Sequence, residues 1–173
     1  WPVPDRTGAS GWMRPDLPGD LGRGTLRDIV LWPDPRLRLR AEPAGYMTGP
    51  ELRVLAADML ATMYHAQGRG LAAPQIGVLR RIFVMDAGWK NGVPDPLVLI
   101  DPEILVRSPQ TETATEGCLS IPGRPVEVTR PAAIGIGWYD LDGRYQVRDM
   151  QGPAARIAQH EVDHLDGLLI VKD

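Results

Sequence analysis

Apolar residues recur along this chain first at helical spacing, then in short alternating runs, then at helical spacing again. Leu52, Leu55, Ala56, Met59, Leu60 and Met63 fall at steps of three and four, which lays one apolar stripe along a helix. Thr48-Gly49-Pro50-Glu51 ahead of them reads as a capping box with proline in the first turn. The Thr48 hydroxyl and the Glu51 carboxylate can each satisfy a backbone N–H that the helix leaves free. Gly68 is expected to end this helix. The pattern then turns to strands. Arg81 to Met85, Leu97 to Ile100 and Ile104 to Arg107 are short apolar runs separated by Gly, Pro and Asp. Val126 and Val128, then Ile134, Ile136 and Trp138, alternate as half-buried strands do. Asp142-Gly143 turns the chain and Tyr145 and Val147 continue it, which makes the clearest hairpin in the sequence. From Pro153 to Leu165, the residues Ala154, Ala155, Ile157, Ala158, Val162 and Leu165 occupy more than one side of a second helix, and Gly167 is placed to terminate it. That helix should be central and largely buried. The order predicts an α+β fold: mostly antiparallel strands around a C-terminal helix, with an amphipathic helix before them.

Composition changes this picture little. With 173 residues, 43% of them hydrophobic, the chain can bury one sizeable core, and a single domain over residues 25–173 is expected. A net charge of −3 gives no reason to expect nucleic acid as a partner. The lone cysteine, Cys118, excludes an internal disulfide framework and fits a reducing compartment such as the cytoplasm. No apolar run approaches membrane-spanning length. Residues 1–24 interleave Pro, Gly and Arg with Asp and lack the apolar stretch of a secretory signal, so a flexible extension is expected. A targeting remnant would imply an organellar matrix instead, but Asp5, Asp16 and Asp20 argue against one.

Candidate chemistry sits on the second helix. His160-Glu161-Val162-Asp163-His164 presents two imidazoles, four positions apart and so on one face, with a carboxylate beside them. Two neutral imidazoles can bind one divalent ion, and Glu161 can address water next to it. Only Leu165 to Asp173 follow, with Asp166 and Asp173 as the only acids, so a third ligand is expected upstream. The candidates are His65, near the end of the first helix, and Cys118, whose loop Glu116-Gly117-Cys118-Leu119-Ser120 has a glycine that lets the backbone come close. Cys118 is the better placed. Burying His160, Glu161, Asp163 and His164 without partners would cost several kcal/mol, which a metal ion and supporting hydrogen bonds would offset. Asp163 reads equally as such a support or as a helix-surface acid.

Gly70-Leu71-Ala72-Ala73-Pro74-Gln75, Glu116-Gly117-Cys118-Leu119-Ser120 and His160-Glu161-Val162-Asp163-His164, in this order, resemble the peptide deformylase family. Trp32-Pro33-Asp34-Pro35-Arg36-Leu37 followed by Ala41-Glu42-Pro43 looks like the family's opening segment, so the resemblance spans about Thr25 to Lys172. It implies hydrolysis of the formyl group on the N-terminal methionine of new polypeptides, with release of formate. Cys118, His160 and His164 would hold one divalent ion, Fe2+ in the cell, with Zn2+, Ni2+ or Co2+ also accepted. Glu161 would be the general base, and the Gln75 amide and the Leu119 N–H would receive the developing oxyanion. Gly70, Leu71 and Leu119 would line a site narrow enough for a formyl group, with substrate backbone running beside Gly70 as an added strand. Arg156 and Ile157 match positions at the methionine pocket, and Glu116 and Arg130 match an ion pair that holds the cysteine loop. The implied partners are N-formylmethionyl nascent peptides and the ribosome that makes them. A metallopeptidase and a non-catalytic metal-binding domain are the alternatives. Against the first stands the short segment after His164, and against the second the presence of Glu161 and Gln75.

Overall fold

The computed structural model describes residues 12–172. The first helix, α1, is Gly49–His65, and both halves of the expected capping box form: Glu51 N–H donates to Thr48 Oγ1 at 3.3 Å and Thr48 N–H to Glu51 Oε1 at 2.9 Å. Leu55, Met59, Leu60 and Met63 are buried along its stripe, while Leu52 is only half-buried at the margin. The helix ends one step earlier than expected. Gln67, at φ 60, takes the left-handed position, and Gly68 serves a different purpose: a Cβ there would lie 2.7 Å from Leu119 Cδ1.

Seven strands follow. β1 (Gly70–Ala72), β2 (Ile82–Met85), β3 (Leu97–Arg107), β6 (Ala133–Tyr139) and β7 (Tyr145–Gln151) form one five-stranded sheet in the order β1-β2-β3-β6-β7, antiparallel throughout. β4 (Thr111–Cys118) and β5 (Ile121–Pro131) form a separate antiparallel pair. The second helix, α2 (Gly152–Leu165), closes the fold. Antiparallel strands and two helices make the fold α+β, as the periodicity predicts.

The core explains why β2 lacks alternation. Phe83 and Met85 pack with Ala155, Ala158, Val162 and Leu165 of α2, whereas Ile82 and Val84 pack with Leu55, Met59 and Met63 of α1. Successive side chains point to opposite faces, so the two helices cover the two faces of the sheet at β2 and all its residues are buried. The expected β6–β7 hairpin forms, with Tyr139 opposite Tyr145 and Gly143 at φ +78 in the turn. Asp140 braces it by accepting from the N–H groups of Asp142 and Arg144, both at 2.9 Å.

Two strand readings are corrected. Leu97 to Ile100 and Ile104 to Arg107 are one strand, β3, whose pairing with β6 slips between Ile100 and Glu103 and again between Ile104 and Val106. Asp101 sits at the first slip with φ 48, and its carboxylate accepts from Ala44 N–H at 2.7 Å. The Asp-Pro punctuation therefore marks a bulge rather than a strand end. β4 lacked a strand signal because its residues face solvent from Thr111 to Thr115 and need no apolar alternation.

Of the expected extension, residues 1–11 lie outside the described residues. Residues 12–24 include a 3₁₀ turn at Gly19–Arg23 that packs along α1, and Gly24 crosses the helix so closely that a Cβ would overlap Ala57 O. Thr25 N–H then donates to Asp58 Oδ1 at 2.7 Å.

The end of α2 is fixed by a Schellman motif. Leu168 N–H donates to Asp163 O at 2.8 Å and Gly167 N–H to His164 O at 3.1 Å, with Gly167 at φ +75. A Cβ at Gly167 would also lie 2.5 Å from Arg38 O, which is backbone and cannot swing away. Gly167→Ala is therefore expected to lower the unfolding free energy by about 1–3 kcal/mol, from left-handed strain alone. Urea denaturation with an unchanged m-value would show it, and an unchanged midpoint would refute this reading of the cap.

Candidate functional site

α2 carries His160, Glu161 and His164 inward, all buried, with successive turns of the helix bringing the two imidazoles edge to face at 4.9 Å. Cys118, at the end of β4, completes the cluster. Its Sγ lies 3.3 Å from His164 Nε2, which in turn lies 3.1 Å from His160 Nε2. These ligand atoms all lie within 4.8 Å of one another, so Cys118, His160 and His164 can hold one metal ion. His65, the alternative third ligand, is exposed at the end of α1 and takes no part.

The surroundings fit a cation. Glu116 Oε1 lies 2.9 Å from His160 Nδ1, which fixes that hydrogen on the far side of the ring and aims the Nε2 lone pair at the cluster. Burial opposes a second proton on His160, yet hydrogen bonds to Cys118 and Glu116 favour one and push its pKa up to about 10; a divalent ion bound at Nε2 would take that proton's place. Burial and the neighbouring His160 hold His164 well below its ordinary value, in the neutral form a ligand needs.

Glu116 gathers the cluster's supports. Arg130 donates through Nε at 2.6 Å and Nη2 at 2.9 Å, and Arg156 through Nη1 at 2.6 Å. Burial works against the Glu116 charge, but the hydrogen bonds from His160, Arg130 and Arg156 outweigh it and hold the pKa at about 2. Arg130 extends the network through Nη1 to Asp163 Oδ2 at 2.8 Å, so Asp163 is a partner of the network rather than an idle surface acid. Arg156 also donates to the carbonyls of Val128 and Glu112, at 2.9 and 2.8 Å. It lines the cleft, but its guanidinium is committed to pinning β4 and β5 onto α2.

A cleft of about 630 Å³ opens onto the cluster, and Gly70, Gln75, Leu119 and Ile157 line it with His160 and Glu161. A Cβ on Gly70 would lie 2.6 Å from Glu161 Oε2 and 2.9 Å from Ile157 Cγ2, so only glycine lets β1 pass so close to that carboxylate. Burial pushes the Glu161 pKa up to about 7, and its Oε1 has no hydrogen-bond partner among the described residues. Gln75 is fixed at both ends of its amide: Oε1 accepts from Ala72 N–H at 2.9 Å, while Nε2 donates to Ser120 Oγ at 3.1 Å and lies 3.7 Å from Cys118 Sγ. Leu71 departs from expectation. Strand alternation turns its side chain into the core beside α1, and Leu71 does not line the cleft.

Reasoning from the sequence named no role for Ser120, which is fully buried and anchors Gln75. It also missed how the opening segment serves the site: Val30 N–H donates to Gln75 O at 2.7 Å and Trp32 N–H to Ser120 O at 2.8 Å. Ser120 stood within the cysteine motif and could have been named, whereas the backbone bonds leave no trace in side-chain pattern.

Arg130 and Glu116 are both buried, so removing one partner strands the other. Arg130→Met is expected to lower the unfolding free energy by about 3 kcal/mol. Metal affinity should fall roughly 10- to 100-fold, because His160 loses its orienting carboxylate geometry. Denaturant unfolding and competition with a chromophoric chelator measure the two effects, and wild-type metal affinity in the variant would sink the argument.

The family described as Polypeptide deformylase is matched by residues 26–173. The peptide deformylase of Afipia carboxidovorans is 45% identical over 146 residues, which cover 84% of this chain and 85% of that protein. Among solved structures, the peptide deformylase of Thermotoga maritima superposes with a TM-score of 0.79 at 43% identity, over 84% of this chain and 95% of that one. The Met-Ala-Ser-bound class I type b peptide deformylase of Acinetobacter baumannii gives a TM-score of 0.79 at 32% identity, over 85% and 97%. With the matched region containing the whole Cys118, His160 and His164 cluster, the chain belongs to the peptide deformylase family, a family of enzymes.

Proposed function

We propose that this chain removes the formyl group from the N-terminal formylmethionine of newly made polypeptides and releases formate. The observation that carries the proposal is the meeting of three convergent ligand atoms with a buried carboxylate, Glu161, at the closed end of a cleft walled by Gly70. The relative from Acinetobacter baumannii, solved with Met-Ala-Ser, supports a methionine-first peptide as the kind of chain that enters.

Cys118, His160 and His164 would hold the divalent ion, which when bound supplies Lewis-acid polarisation of the formyl carbonyl and lowers the pKa of water nearby. The donor set suits ferrous iron, our choice for the cell, and also zinc, nickel or cobalt. Glu161 takes the proton from the attacking water and passes it to the leaving nitrogen, a role its unpartnered Oε1 leaves it free to perform. The Gln75 amide and the Leu119 N–H donate to the carbonyl oxygen as it gains charge; Gln75 is held for this by Ala72 and Ser120 before substrate arrives. Backbone at Gly70 pairs with the substrate as an added strand, while Ile157 and the stem of Arg156 border the methionine side chain. The narrow wall of Gly70 and Leu119 admits a formyl group and excludes larger acyl groups. We place this activity in the cytoplasm, on nascent chains at or near the ribosome. No helix among the described residues is long and apolar enough to cross a membrane.

Metal-loaded protein is expected to release formate from formyl-Met-Ala-Ser, measured by coupled formate oxidation. Glu161→Gln should retain the metal, by elemental analysis, while kcat falls about 10²- to 10⁴-fold, the range for loss of a general base. Wild-type protein that binds metal yet yields no formate would end the deformylase reading. Chelation should abolish formate release and lower Tm, since the ion stabilises only the folded cluster, and adding Fe2+ back under anaerobic conditions should restore both. Undiminished turnover after complete metal removal would contradict the assigned ligands.

A further inference from the structure

From the buried Glu161 the cleft opens toward a mouth where Arg69, Arg124 and Glu112 are exposed and Lys90 is half-buried. Deeper in, Arg156 is already bonded to Glu116. That leaves Arg69, Lys90 and Arg124 facing a single mouth carboxylate, Glu112, and among the described residues none of the three cations forms an ion pair. Arg124 lies over the Trp32 ring, 5.1 Å from its centroid, on the β5 side. Arg69, beside Gly70 in the chain, lines the cleft with Lys90, and its charge bears on the Lys90 ammonium.

Lys90 is not a free surface lysine. Its Nζ lies 4.2 Å from the centroid of Trp12 and 5.9 Å from that of Trp89. Trp89 is buried, meets Trp12 edge-on at 6.2 Å and Tyr64 edge-on at 5.0 Å, and donates its indole N–H to Gly68 O at 3.0 Å. The aromatic group thus ties Lys90 to the backbone just ahead of Gly70. Trp12 comes from the segment that precedes the family match at residue 26. Burial, and after it the Arg69 charge, lower the Lys90 pKa, as expected where two cations crowd one lip. An ammonium already held by two rings gives up less side-chain freedom on meeting an anion than an ordinary lysine does.

We infer that Trp12, reaching in from outside the family domain, positions Lys90 beside Arg69 as an anion-reading lip on the substrate cleft. This lip makes the enzyme favour nascent chains with aspartate or glutamate shortly after the formylmethionine. The inference rests on the deformylase reading above. Lys90 and Arg69 are specificity residues, and Trp12 is a positioning residue that acts through Lys90.

The test compares kcat/KM of the metal-loaded full chain for formyl-Met-Ala-Glu-Glu-amide and formyl-Met-Ala-Lys-Lys-amide. The amide removes the terminal carboxylate, so only side chains report. The acidic peptide should be favoured about tenfold at low ionic strength, and the ratio should shrink at high salt. Lys90→Met should reduce the ratio severalfold, Lys90→Glu should invert it, and Lys90→Arg should preserve it. Trp12→Ala should also reduce it through KM for the acidic peptide rather than kcat, with Trp12→Phe restoring it; a general loss of structure would affect both peptides alike. A wild-type ratio near one, or a ratio unmoved by Lys90→Glu and Trp12→Ala, overturns the inference alone. Formate from neither peptide would overturn the deformylase reading and this inference with it.

Discussion

A carboxylate removed from water is tolerable only when its lone pairs are occupied, and Glu116 meets that requirement with Arg130, Arg156 and His160 at once. These donors come from different places: Arg130 from β5, Arg156 and His160 from α2. The network therefore does for β4 and β5 what apolar packing does elsewhere. That pair of strands is largely exposed and offers few buried apolar residues, Ile121 chief among them, with which to dock onto α2. Its placement, and with it the distance from Cys118 to the two imidazoles, depends on directional bonds with fixed lengths. A hydrophobic contact of the same area would hold the strands as well but would tolerate sliding. A ligand sphere would not.

The other half of the site is positioned by packing. α2 lies on one sheet face through Ala155, Ala158, Val162 and Leu165, and β1 is locked by β2, whose residues are buried on both sides. The two halves meet where Gly70 passes Glu161, at a clearance that leaves no space for a Cβ. The opening segment links them, because its backbone binds the carbonyls of Gln75 and Ser120 and, through Ala41 N–H, the Leu165 carbonyl at the end of α2. A site assembled from a polar clamp, a packed helix and a close backbone contact has few ways to deform without breaking one of them.

How much of this was legible in the sequence follows from which interactions leave a pattern. The capped helix α1, the β6–β7 hairpin and α2 were legible, because caps, turns and apolar periods are local. The ligand cluster was legible in part from spacing, since i and i+4 share a helix face, and the choice of Cys118 over His65 agrees with the geometry. β4 was not, because an exposed strand pays no attention to hydrophobic alternation. Nor was the division of labour on β1, where alternation sends Leu71 to the core and Gly70 to the cleft; three residues are too few to show a period. Arg156 shows a different gap. Its place near the cleft came from resemblance, but its bonds to Glu116, Val128 and Glu112 depend on a strand pairing that no local pattern specifies.

The polar atoms at the end of the cleft separate catalysis from simple metal holding. Glu161 Oε1 and His164 Nδ1 are buried without hydrogen-bond partners among the described residues, and such groups each destabilise a fold by about 1–3 kcal/mol. A domain that only stored a cation would need the three ligand atoms and the Glu116 network, and an apolar residue at position 161 would relieve the strain there. Glu161 is instead kept, beside a glycine that accommodates it and facing a cleft large enough for a peptide. A buried carboxylate without a hydrogen-bond partner among the described residues is of use to an enzyme and not to a cation store, and on the function proposed above that use is proton transfer.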